Sequence, residues 1–203
     1  MECCVLRART DPRFLGKVKA PRPSEPKKPA PEKKPDPVPT PYAKPKVRWR
    51  VSPKHSSRNG SKVDTIVMHY TVSRSTESAL RTLTTPVSEG GRVASAHYVI
   101  GRDGLIWQLV SEQNKAWHAP KVNSHSIGIE HVAMPGQKMA PAQQASSIAL
   151  IKFILSARKL PRSAITGHKF TGQATACPGN LFGPNGTEAE MKAWIDRHFK
   201  GEF

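Results

Sequence analysis

His168 and Cys177 stand nine residues apart in the stretch GHKFTGQATACPG, residues 167–179. The chain has three cysteines in 203 residues, and the other two, Cys3 and Cys4, are adjacent. A lone thiol just before a Pro-Gly turn, downstream of a histidine, is a residue pair that can hold a metal. His69 supplies a third donor: it closes the apolar run VDTIVMHYT, which reads as a buried strand, and strand ends project side chains into sites at a sheet's edge. Two imidazoles and a thiol make a three-ligand zinc set that leaves the fourth position to water, as in catalytic sites. No short HxxxH or CxxC pair is present, so spacing alone leaves a structural accident open.

Glu130 adds a second function. In SIGIEHV it interrupts an apolar strand, where a carboxylate is costly unless paired. It is either a salt-bridged core residue or a general base whose pKa burial raises. The other histidines are weaker candidates. His118, in AWHAP, is expected to touch substrate with Trp117 packing beside it, and His97 is expected to be structural. His55, His125, His131 and His198 have no functional case beyond their presence.

The elements that must position these groups begin at Val63. STESALRTL places Ala79, Leu80 and Leu83 at helical spacing. ASAHYVIGRDGLIWQLVS reads as two strands joined by a turn at RDG. SHSIGIEHVA reads as a strand. PAQQASSIALIKFILSARKLP is the strongest helix, with Pro141 in its first turn and Ile148, Ile151, Ile154 and Leu155 in one stripe. AITGHKF reads as a short strand. TEAEMKAWIDRHF opens with Thr187 and Glu190 at capping-box spacing and buries Met191, Trp194 and Ile195. Strands interleaved with helices predict an α/β domain over 63–203, a mixed central β-sheet flanked by helices.

Residues 1–62 are different. They hold 17 Lys/Arg against 5 Asp/Glu and 12 of the 19 prolines, and few apolar residues. Such a segment is expected to be a disordered, basic, proline-rich tail, either a solvated linker or a cationic anchor for an anionic polymer. The chain's opening has too short an apolar run for a signal peptide, and no stretch reaches the roughly 18 apolar residues of a membrane span.

The pieces IVMHYT, SAHYVIGRDGLIWQLV, AWHA, NSHSIGIE and ITGHKF…TACPG, in this order, resemble the type-2 zinc N-acetylmuramoyl-L-alanine amidases, the family that includes phage lysozyme-amidases and peptidoglycan recognition proteins. The resemblance covers roughly residues 63–199. It implies one zinc held by His69, His168 and Cys177, Glu130 as the catalytic carboxylate, and Thr175 as a hydrogen-bond donor to the oxyanion. Where many phage members carry a tyrosine before the hairpin histidine, this chain has Ala96, and Thr175 stands where some members have lysine. The implied reaction is hydrolysis of the amide between N-acetylmuramic acid and L-alanine in peptidoglycan. The expected setting is a monomeric phage endolysin, made in the cytoplasm and acting on the cell wall after release, with anionic envelope polymers or lipids as partners of the tail and no specific nucleic acid. A non-catalytic peptidoglycan-recognition module and a delivered cell-wall-degrading toxin are the alternatives.

Overall fold

The structure, a computed structural model, describes residues 41–201 and 203. Most of the expected tail, residues 1–40, lies outside the described residues. Among the described residues no helix is long and apolar enough to cross a membrane.

The strands are β1 (Val47–Trp49), β2 (His55–Ser57), β3 (Thr65–Tyr70), β4 (Tyr98–Ile100), β5 (Ile106–Gln108), β6 (Asn114–Ala116), β7 (Ser126–His131) and β8 (Ile165–Gly167). Six of them form one sheet in the order β1-β5-β4-β7-β3-β8, while β2 and β6 pair as a separate antiparallel ribbon. The β4–β5 hairpin is antiparallel, as its RDG turn predicts, and the other pairs of the large sheet are parallel. The sheet is therefore mixed.

Alternation along each strand divides the core between two faces. Ile66 and Met68 of β3, Ile127 and Ile129 of β7, and Tyr98 and Ile100 of β4 lie in one buried cluster. Helices α2 (Pro141–Arg158) and α3 (Glu188–Phe199) pack there through Leu150, Ile151, Ile154, Leu155, Met191, Trp194 and Ile195. Each such fully buried aliphatic side chain contributes about 1.5–3 kcal/mol. Val99 of β4 points the other way and packs with Ala79, Leu80 and Leu83 of α1 (Thr76–Thr84).

The helix ends follow local chemistry. Pro141 occupies the first turn of α2, where its missing N–H costs nothing. In α3 the Glu190 N–H donates to Thr187 Oγ1 at 3.2 Å and the Thr187 N–H donates to Glu190 Oε2 at 2.9 Å, which completes the expected capping box.

The boundary at 62/63 needs correction. β1 and β2 come from the stretch assigned to the tail, and both are built into the fold. Arg48 lies over the Trp107 ring and Arg50 pairs with Glu77 at 2.7 Å. Lys54 is 2% exposed and donates to the carbonyls of Thr82 and Arg92. The buried Arg58 guanidinium donates to the carbonyls of Glu112, Asn123, Ser124 and Ser126. These cations satisfy acceptors far along the chain, so a local charge count mistakes them for a solvated segment. At the other end of the described chain, the Phe203 ring lies 5.5 Å from that of Tyr42.

Candidate metal centre and active site

β3 and β7 run parallel in a register that sets His69 beside Glu130. Residues paired in this way present side chains to the same sheet face, and both stand near the carboxyl ends of their strands, where α/β sheets build sites. β8 pairs with β3 on the other side, with Gly167 opposite Met68, and delivers His168 as the next residue.

Cys177 is brought back by tight backbone packing. A Cβ on Gly167 would lie 2.9 Å from both the Phe170 ring and Pro178 Cδ, so only glycine lets the Cys-Pro loop close against the strand. The Lys169 N–H donates to the Cys177 carbonyl at 2.8 Å, and the Cys177 N–H donates to Thr175 Oγ1 at 3.2 Å. The Tyr70 N–H points at Cys177 Sγ at 3.4 Å, and His69 Nδ1 lies 3.5 Å from the same sulfur. One donor atom from each of His69, His168 and Cys177 falls within 4.8 Å of the other two. The fold thus gathers the three residues singled out by type and spacing.

The electrostatics suit a cation. Burial, then the neighbouring His168, hold the His69 imidazole well below its ordinary pKa. Burial and the Glu130 carboxylate push the Cys177 thiol up. Burial raises Glu130 to about 8. Every group is therefore biased toward its neutral form, and a bound cation would reverse that bias for the thiol and the carboxyl. His168 Nε2 is buried and has no hydrogen-bond partner among the described residues. Two neutral imidazoles and one thiol, buried on one side and reached past half-buried His168, fit zinc.

Among the described residues Glu130 has no salt-bridge partner. Its Oε2 is sealed from solvent and makes no hydrogen bond with the described residues. Glu130, Thr71, Ser73 and Thr82 line a cavity of about 30 Å³ closed by Ala79 and Leu83, and Thr71 Oγ1 is likewise buried without a partner among the described residues. A polar space of that size holds a water. A roomier cavity, about 490 Å³, lies among Arg58, Lys62, Glu112 and Arg158, at the opposite end of the strands from the histidine–cysteine group.

The remaining candidates fall into different places. Thr175 is half-buried in the loop before Cys177, and its hydroxyl hydrogen is free to donate. Trp117 is half-buried and donates its indole N–H to Ser56 Oγ at 3.2 Å. His118 departs from expectation. Its ring is buried behind His69, with His118 Nδ1 3.0 Å from His69 Nε2, so it does not form a surface for substrate. Gly128 explains the placement: a Cβ there would lie 2.5 Å from the His118 ring, so the missing side chain is the space the ring fills. His97 is buried beyond it, accepting from the Gly128 N–H at Nδ1. Sequence reasoning does not single out Ser126 and Gly128. The available signal is two small residues at alternate positions of an otherwise apolar strand, which leave one face short of volume.

The model of the N-acetylmuramoyl-L-alanine amidase family, Amidase_2, matches residues 59–180. The chain belongs to this family. Among its relatives, the amidase AmiD of Escherichia coli is 31% identical over 146 residues, 60% of this chain and 50% of that protein. A peptidoglycan-recognition protein of Drosophila melanogaster is 34% identical over 85 residues, 41% of this chain and 46% of that protein. The chain thus spans about half the length of these curated relatives. Among solved structures, the endolysin amidase LysCS from Clostridium intestinale superposes with a TM-score of 0.59 at 25% identity, over 76% of this chain and 97% of that one.

Proposed function

We propose that this amidase-family chain is a zinc-dependent N-acetylmuramoyl-L-alanine amidase that cleaves the amide between the lactyl group of N-acetylmuramic acid and the L-alanine of the stem peptide. The observation that carries the reading is Glu130, a carboxyl with one oxygen sealed from solvent and no ion-pair partner among the described residues, beside the His69–His168–Cys177 group. A recognition module needs no such group, whereas a hydrolase needs a base.

His69, His168 and Cys177 would hold the zinc. Zinc in such a site supplies Lewis-acid polarisation of the scissile carbonyl. Glu130 takes the proton of the attacking water at its carboxylate and returns it to the leaving amine. Thr175 donates its hydroxyl hydrogen to the oxygen that gains charge, a role typically worth about 3–4 kcal/mol when a good donor is lost. Trp117 offers an apolar face for the sugar or peptide. The setting that fits is an endolysin, active as a monomer on the wall after its release from the cytoplasm. Attraction between its basic N-terminal region and anionic envelope polymers raises its local concentration.

Mass spectrometry of murein digested by the zinc-loaded protein tests the reaction, the expected products being free stem peptides beginning with L-alanine. Glu130→Gln should keep zinc and fold yet lose most turnover, and Cys177→Ser should lose zinc and turnover together. Near-normal turnover by a zinc-replete Glu130→Gln protein would move the base elsewhere, and release of sugars in place of peptides would overturn the reaction.

A further inference from the structure

The protons on the buried histidines behind the site can be assigned one after another, starting from a carbonyl. Ser126 Oγ lies 2.7 Å from the Val122 carbonyl oxygen. A carbonyl only accepts, so the serine hydroxyl hydrogen points to it. Ser126 Oγ is then left to accept from His118 Nε2 at 3.2 Å, and His118 carries its proton there. A neutral imidazole carries a single N–H, and His118 spends it on Ser126, so its Nδ1 bears a lone pair. That lone pair faces His69 Nε2 at 3.0 Å and must accept from it. His69 therefore holds its proton on Nε2, and its Nδ1, 3.5 Å from Cys177 Sγ, is bare.

The backbone makes the arrangement rigid. The N–H groups of His118 and Ala119 both donate to Asn123 Oδ1, at 3.0 and 2.7 Å. The His118 ring sits in the notch left by Gly128, and Ser126 is fully buried.

We propose that His118 is a positioning residue for the metal. With Ser126 it locks His69 in the tautomer whose Nδ1 lone pair faces the His168–Cys177 side of the site. The proposal rests on the reading of that site as a zinc centre. An imidazole protonated on Nδ1 cannot ligate through that atom, so without His118 part of the His69 population would have to exchange its tautomer before metal could bind. Partners behind ligating histidines commonly contribute 10–100-fold in metal affinity.

The test has two readouts, both on the full-length chain. Long-range nitrogen–proton NMR of the metal-free protein should show His69 and His118 each protonated on Nε2. Zinc affinity, measured by competition with a chelating dye, should fall about 10–100-fold in His118→Ala. It should fall less in His118→Gln, whose amide oxygen can still accept from His69 Nε2. Ser126→Ala removes a single oxygen from the relay, so it keeps the test available where His118→Ala does not fold. It should weaken zinc binding and mix the His118 tautomers. A proton on His69 Nδ1 in the metal-free wild type would overturn the proposal, as would unchanged zinc affinity and tautomers in Ser126→Ala. If wild-type protein binds no zinc, the reading of the site falls, and the tautomers of the metal-free protein alone judge the relay.

Discussion

At the scale of single residues, the centre depends on side chains that are absent as much as on those present. The His118 ring occupies the space over Gly128, so Gly128→Ala must push the ring or the strand aside. We expect a stability loss of about 1–3 kcal/mol, as for other overpacked cores. Zinc affinity should drop with it, which paired urea titrations and dye competition would show. A Gly128→Ala protein with wild-type zinc affinity would mean that the ring has no strict position. The ligands themselves are legible in the sequence, because a rare cysteine, a histidine ending an apolar strand and an acid inside another are few in number and chemically costly. The place of His118 is not, because its direction is decided across the sheet, by a glycine ten residues further on. No local pattern around AWHAP carries that information.

Elements differ in how plainly they announce themselves. α2 and α3 follow from an apolar stripe and a capping box, signals contained within one stretch of chain. β1 and β2 are three residues each, sit among lysines and prolines, and pair with partners about 60 residues away, so neither periodicity nor composition reveals them. The difference is testable by truncation. Protein beginning at residue 41 should melt within a few degrees of the full chain. Protein beginning at residue 63 loses both strands together with Ser52, Lys54 and Arg58, and should melt far lower or fail to fold. Equal melting of the two truncations would return those strands to the tail. Within β2's flank, Arg58→Met would leave the buried Ser126 carbonyl and the partly buried carbonyls of Glu112, Asn123 and Ser124 without their donor. The expected cost is at least about 3 kcal/mol, read as a lower urea midpoint.

For the molecule as a whole, charge and protonation set the working range. Residues 1–40 hold 10 basic against 5 acidic side chains, and residues 41–203 hold 22 against 10, so most of the net charge of +17 belongs to residues 41–203. Removing residues 1–40 should therefore reduce binding to anionic sacculi only partly at low salt. The difference should vanish as salt shortens the screening length to about 8 Å. A complete loss of binding would assign the attraction to the first forty residues alone. The buried histidines set the acid limit. Burial lowers His97 and His131 to about 4, below the ordinary value of 6.5. Between those values the unfolded chain binds protons that the folded chain does not, so stability rises with pH there. Each histidine then contributes on the order of 3 kcal/mol near pH 7 that is lost as pH falls through 6.5 toward 4. Urea midpoints of metal-free protein should fall steeply over that interval, and a flat profile would refute the assignment. The contact between Tyr42 and Phe203 has a separate consequence. Since the two ends of the described chain meet, a short Gly-Ser link could join them and new ends could be opened in the exposed turn at Pro135–Lys138. Such a circular permutant would carry every ligand in an altered order along the chain, and its zinc content would report whether the centre depends on packing alone or also on the direction in which the polypeptide is made.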